Sequence, residues 1–218
     1  MAVLEGGLRD LAASIVARYP EGRARSAILP LLYLVQAVEG RVTREGMREV
    51  AAILGLTTAE VEAVASFYTM LRLRPTGRHV VSVCTNLACA LRGAGEVYEA
   101  AHRAFGMRHG QEVSDDGLVT LHEEECLGAC DAAPVVQIDF ANHDRVTPER
   151  MAELAEALRR GEVPPPSRGT APRDFRHASW ILAGLPGEPP PRAGAPAGAE
   201  DGRAAAAGGQ VRPEGVAP

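Results

Sequence analysis

Apolar residues in the front of the chain recur every three to four positions, the spacing of helices with one buried face. Leu8, Leu11, Ala12, Ile15 and Tyr19 follow it until Pro20 stops the run, and a second apolar stretch from Ser26 to Glu39 tolerates Pro30 near its first turn. Gly40 closes that stretch. Thr43 can cap a third helix through Leu54, ended by Gly55, and Thr57-Thr58-Ala59-Glu60 is a capping box that opens a fourth through about Leu71. Four short helices with brief loops predict an N-terminal four-helix bundle over residues 1–74, and Pro75-Thr76-Gly77 marks its boundary.

Beyond that boundary the period changes. His79-Val80-Val81-Ser82-Val83 is a β-branched run and Gly93 to Phe105 has helix character. Leu118-Val119-Thr120-Leu121 follows the turn signal Asp116-Gly117, and Val135-Val136-Gln137-Ile138 reads as another strand. Thr147-Pro148 places a cap and a first-turn proline before a last helix whose Met151, Leu154 and Leu158 share a face. The order β, α, β, β, α predicts a small α/β or α+β domain over residues 75–160, with helices against one sheet. Strand directions are left open by order alone.

Composition sets apart a third region. Most of the 16 prolines and ten of the 23 glycines fall from Gly161 onward, in runs such as Pro189-Pro190-Pro191 and Ala204-Ala205-Ala206-Ala207-Gly208-Gly209. Such a segment cannot bury a core, which predicts a disordered tail over residues 161–218. Within it, 174–185 keeps a helical pattern with Phe175, Ala178, Ile181, Leu182 and Leu185 near one face. A helix so short is marginal alone, so Trp180 and Ile181 either shield it or meet a docking partner.

The chain of 218 residues has a formal net charge of −5, and every basic residue is Arg. The acidic excess lies before the tail, so no basic field exists to hold nucleic acid or anionic lipid. No apolar run reaches about eighteen residues, and the first residues lack a charged region followed by an apolar core. The expectation is a cytoplasmic chain with no direct membrane insertion and with reduced thiols.

The chemistry rests on four cysteines in two close pairs, Cys84 with Cys89 and Cys126 with Cys130. All four fall in expected loops at element ends. Such loops can converge, and Gly93, Gly95 and Gly128 let backbone approach a bulky group. Two loops supplying two thiolates each suit a four-ligand inorganic centre. Unrelated structural cysteines would not cluster at element ends in this way. A four-thiolate zinc site stays open, although zinc knuckles use tighter spacing and stabilise domains too small to fold alone. A [2Fe-2S] cluster fits better, each iron taking one close pair. Disulfide exchange normally uses Cys-X-X-Cys, a spacing that neither pair has.

Other features carry less. Gly93-Ala94-Gly95 begins like a dinucleotide fingerprint, but Tyr98 stands where the third glycine would be. Glu123, Glu124 and Glu125 read as a solvated edge whose charge opposes reduction of a nearby centre. One carboxylate about 8 Å away at an effective dielectric near 20 is worth roughly 2 kcal/mol, or about 90 mV, which predicts a low potential. The histidines are scattered singly, and only His122 comes near a ligand-like position. No catalytic side chain, nucleotide site or flavin site is recognisable, so electrons must come from a partner.

Three motifs carry a family resemblance: Ser66-Phe67-Tyr68-Thr69-Met70, Cys84-Thr85-Asn86-Leu87-Ala88-Cys89, and Glu125-Cys126-Leu127-Gly128-Ala129-Cys130-Asp131-Ala132-Ala133-Pro134-Val135-Val136. Over about Leu8 to Leu158 the chain resembles the thioredoxin-like [2Fe-2S] subunit of NADH-quinone oxidoreductase, bacterial respiratory complex I. The resemblance implies a thioredoxin-like fold and one [2Fe-2S] cluster held by Cys84, Cys89, Cys126 and Cys130. It further implies an electron carrier that exchanges electrons with the flavin- and NADH-binding subunit, contacts other peripheral-arm subunits, and lies peripheral to the inner membrane. The same module resembles diaphorase subunits of NAD-linked hydrogenases and formate dehydrogenases, so the parent complex is open at this point. The segment 174–185 resembles a docking segment of some members; after Gly187 no likeness is recognised.

Overall fold

A computed structural model describes residues 2–191. The later part of the expected tail, residues 192–218, lies outside the described residues. Helices α1 (Gly7–Val16), α2 (Ile28–Glu39), α3 (Arg44–Leu54) and α4 (Thr58–Phe67) come first, followed by strand β1 (His79–Cys84). Helices α5 (Leu87–Ala90) and α6 (Ala94–Phe105) lead to strands β2 (Val119–Glu124), β3 (Val136–Ile138) and β4 (Ala141–His143). Helices α7 (Pro148–Arg159) and α8 (Phe175–Leu182) end the described chain.

Local chemistry explains most helix ends. The Thr43 hydroxyl accepts the Gly46 N–H, and Thr57 and Glu60 form a reciprocal capping box. Helix α4 stops at Phe67, short of Leu71, for a tertiary reason. The buried Gln36 of α2 accepts the Arg72 N–H at 2.7 Å, a donor that a longer helix would have turned back to the Tyr68 carbonyl, and donates its Nε2 to the Met70 carbonyl at 3.1 Å.

The sheet order is β2-β1-β3-β4. Strand β1 runs parallel to β2, from His79 opposite Val119 to Cys84 opposite Glu124, and antiparallel to β3. The parallel pair needs a crossover, which passes through α6. Val81, Val83, Val119, Leu121, Val136 and Ile138 share one core with α6 and α7, into which Val97, Phe105, Met151, Leu154 and Leu158 project. Strand β4 has only Ala141-Asn142-His143 and no alternating pattern to announce it. A two-residue turn makes it: Asp139 and Phe140 both have positive φ, as a type I′ hairpin requires. The Asp139 carboxylate accepts the Val80 N–H at 2.8 Å and lies 2.6 Å from His79 Nδ1, which pins the turn to β1.

The front layer departs from a self-contained four-helix bundle. Trp180, Ala183 and Leu185, from α8 and the turn after it, belong to the same buried cluster as Leu31, Leu34, Val50 and Val61. Ser179 Oγ accepts from Gln36 Nε2 at 3.1 Å, and Arg176 Nε donates to the Ala37 carbonyl at 2.6 Å. Residues 161–191 are therefore not a free tail: α8 docks within this chain, as a fifth helix against α2. Its inward face also differs from expectation. Phe175, Ala178, Ser179 and Trp180 are buried, while Ile181 is 51% exposed and Leu182 39%. Trp180 turns inward because its Nε1 can donate to the Pro186 carbonyl at 2.9 Å, satisfying the one polar atom of a large apolar ring.

Candidate metal centre

The C-terminal ends of the parallel strands β1 and β2 carry the four thiols, the edge of an α/β sheet where sites are usually built. Cys84 is the last residue of β1 and is buried. Cys89 does not sit in a loop: Asn86 caps α5 by accepting the Leu87 N–H at 2.6 Å, and this single turn carries Cys89 inward. Cys126 lies in the loop after β2, and Cys130 opens the 3-10 turn Cys130–Ala132. Both are exposed.

All four thiols are free. Cys126 Sγ and Cys130 Sγ are 3.7 Å apart. Two thiolates on one tetrahedral ion with metal–sulfur bonds of about 2.3 Å would be about 3.8 Å apart, so this pair already has the spacing of shared ligands. Cys84 and Cys89 pack side by side in one buried cluster, and the charges of Cys84 and Cys130 both push the Cys89 thiol up. Among the described residues, no three His, Cys, Asp or Glu side chains converge on a single point that could hold one ion; the thiols stand as two pairs.

The surroundings are small and apolar. Ala94, Ala129, Ala133 and Val135 pack with Cys84 and Cys89 in a cluster separate from the two larger cores. Burial pushes the Cys89 thiol up to about 11, the neighbouring Cys84 thiol adds to this, and the Val135 N–H opposes it. Contact with Cys126 likewise raises the Cys130 thiol. Thiolates packed this closely need a cation to offset their repulsion and desolvation, so the donor set fits a metal centre.

The glycines act differently from expectation. A Cβ at Gly128 or Gly95 would meet nothing within 4 Å, and at Gly93 only the Glu96 carboxylate at 3.7 Å, so no backbone packing demands them. Gly93 and Gly128 are used for their positive φ instead, at the N-cap of α6 and in the loop between Cys126 and Cys130. The acidic edge is also divided. Glu123 and Glu125 are exposed, but Glu124 is paired with Arg72 at 3.2 Å, which offsets part of the charge expected to lower the potential. His122 is a half-buried residue of β2, its imidazole pKa lowered by desolvation and by Arg72. Three contributors are missed in the sequence: the Val135 amide, Arg72, and the α5 turn with exposed Leu87 and Leu91 on either side of Cys89. Only the Asn86 cap hints at that turn.

A small α/β layer with two thiol pairs at the carboxyl edge of its parallel strands defines a protein built to hold a thiolate-bound inorganic centre. The chain belongs to the thioredoxin-like [2Fe-2S] ferredoxin family, which it matches over residues 12–159. It is 48% identical over 179 residues to the E subunit of NADH-quinone oxidoreductase from Mycobacterium tuberculosis, covering 82% of this chain and 70% of that one. It is 39% identical over 155 residues to NADH-quinone oxidoreductase subunit 2 of Thermus thermophilus, covering 71% of this chain and 85% of that one. Among solved structures, an NAD+-reducing [NiFe]-hydrogenase in the air-oxidized state is similar with a TM-score of 0.48 at 22% identity, over 53% of this chain and 20% of that one. Among the described residues no single helix is long and apolar enough to cross a membrane.

Proposed function

We propose that this chain is an electron-transfer subunit of NADH-quinone oxidoreductase that holds one [2Fe-2S] cluster through Cys84, Cys89, Cys126 and Cys130. Bound there, the cluster supplies reversible one-electron storage. The observation that carries this reading is the arrangement of the thiols as two pairs, Cys84 and Cys89 packed together at the end of β1 and on α5, and Cys126 and Cys130 after β2 at the sulfur–sulfur spacing of ligands on one ion. A mononuclear zinc site would need all four sulfurs around one point, whereas Cys84 with Cys89 and Cys126 with Cys130 would each hold one iron of a two-iron centre.

The chain's own residues hold and orient the centre. Cys84 and Cys89 anchor it to β1 and α5 in an apolar pocket, the Val135 N–H faces the Cys89 sulfur, and the Cys84 thiol lies 3.5 Å from the Glu125 carbonyl. Cys126 and Cys130 form the exposed side, where electrons can enter or leave. No side chain here performs bond chemistry. The partner is the flavin- and NADH-binding subunit of the same complex, with other peripheral-arm subunits around it, and the protein is peripheral to the membrane through that complex. Exposed Leu87 and Leu91 beside the thiols provide an apolar contact for the partner, with exposed Glu123, Glu125 and Asp131 nearby.

Metal and sulfide analysis of the full chain purified without oxygen tests the reading. Two irons and two inorganic sulfides per chain are expected, with a paramagnetic signal on reduction that Cys126→Ser abolishes or shifts while helical circular dichroism is retained. One zinc per chain without sulfide, or an unchanged signal in that variant, overturns it.

A further inference from the structure

Arg72 stands in none of the sequence motifs, yet it joins the front layer to the thiol-bearing edge. Its backbone is fixed on the helical side: the N–H donates to Gln36 Oε1 at 2.7 Å, and the carbonyl accepts the Val42 N–H at 2.8 Å. Gln36 is itself held by Ser179 of α8. The side chain crosses to the sheet, where Nη2 lies 3.2 Å from Glu124 Oε1 with the two side chains only 14% and 21% exposed. The pairs Arg25–Glu60, Arg150–Glu153 and Arg168–Asp144, by contrast, each have one side chain more than half exposed. Arg72 Nε is buried and makes no hydrogen bond of its own.

The place where this charge is anchored matters. Glu124 lies opposite Cys84 in the parallel register, and its carbonyl accepts the Thr85 N–H at 2.9 Å. The next carbonyl, that of Glu125, contacts the Cys84 thiol, and the next residue is Cys126. One guanidinium is thus locked against the strand end from which both thiol loops depart. A fixed charge that is partly shielded from water acts on a nearby redox centre more strongly than a mobile surface charge, and groups just outside the ligand shell commonly tune metal sites.

We propose that Arg72 is a positioning and tuning residue for the centre: it ties the root of the Cys126 loop to the front layer, and its fixed positive charge raises the one-electron reduction potential against the opposing carboxylate of Glu124. This rests on the four thiols holding a redox-active cluster. The two members of the pair then act with opposite signs. Removing Arg72 disfavours the reduced state, removing Glu124 favours it, and removing both largely cancels.

Anaerobic redox titration of the cluster-loaded full chain, followed by the paramagnetic signal of the reduced state, tests this without reference to turnover. Arg72→Gln is expected to shift the reduction equilibrium on the order of tenfold, about 59 mV lower for a one-electron couple. Glu124→Gln is expected to shift it upward, the double variant to return near the parent value, and Arg72→Lys to retain most of it. Single variants that both leave the potential unchanged, or move it in the same direction, overturn the proposal in favour of a purely structural tie. Should Arg72→Gln fail to fold, Glu124→Gln decides alone: a raised potential supports the proposal and an unchanged one overturns it. A parent protein with no reduced-state signal would instead overturn the cluster reading itself.

Discussion

At one end of β1, His79 lies 2.6 Å from the buried Asp139 carboxylate, which also accepts the Val80 N–H; at the other, Cys84 faces a pocket of alanines and other thiols. The His79 end is closed. Gly77 sits so near β2 that an added Cβ would come within 2.6 Å of the Val119 backbone, and the Phe175 N–H donates to the Arg78 carbonyl at 3.1 Å. The Cys84 end is open, with two of its four thiols exposed and three of its charged neighbours unburied. Same strand, two environments: packing and buried polar pairs at the first end hold the strand in place, and the second end is thereby free to present ligands without contributing much to stability itself.

The comparison breaks if damage at the closed end alters the centre or damage at the open end unfolds the chain. The largest expected effect is at Asp139. Asp139→Ala removes both bonds to the turn and leaves His79 and the Val80 N–H unpaired in a buried site, a loss of about 3 kcal/mol in denaturant unfolding, with the reduced-state signal per folded molecule unchanged. A variant of normal stability would show that the closed end is not what holds β1. Next in size is a contrast within the open end. In metal-free protein, Cys126 and Cys130 should react with iodoacetamide well before Cys84 and Cys89, because the latter pair is buried; mass spectrometry of partially labelled chains reads the order, and equal rates would remove the distinction between anchoring and exposed pairs.

The last expected effect is absent at neutral pH and concerns acid. Burial holds the His143 imidazole down at about 4, with Arg150 adding to it, against an ordinary value of 6.5. The unfolded chain therefore takes up this proton at higher pH than the folded one, so the contribution of neutral His143 to stability is present above about 6.5 and is lost as pH falls toward 4. His143 sits on β4 opposite Val136, toward the thiol end. His143→Gln should flatten the fall in unfolding free energy over that pH range; an unaltered slope would place the acid sensitivity elsewhere.

Several elements are legible in the sequence because their causes are local. Thr43 and Gly55 delimit α3, Thr57 with Glu60 opens α4, and Thr147 with Pro148 opens α7, each through residues within a turn of one another. The pairing of the cysteines is equally visible in their spacing. Helix α4 ends early, however, because Gln36 lies far from Met70 and Arg72 in the chain, and no short window of sequence contains all three. Strand β4 is hidden because three residues show no period, and the Asp139–Phe140 turn is stabilised by His79, well upstream. The inward face of α8 differs from its apolar pattern because its partner, α2, is at the other end of the described chain.

By itself the sequence determined the starts of α3, α4 and α7, the change from helical to strand period after Pro75-Thr76-Gly77, and a set of four thiols in two pairs with no spare cysteine. These follow from propensities, caps and spacings that act over a few residues. Only the tertiary structure decided that β1 and β2 run parallel, that α8 completes the front layer, that Cys84 and Cys89 are buried while Cys126 and Cys130 are exposed, and that Arg72 is locked onto Glu124. Each of those outcomes depends on which distant side chains compete for the same buried space and the same hydrogen-bonding groups, and that competition is settled only when the whole chain has packed.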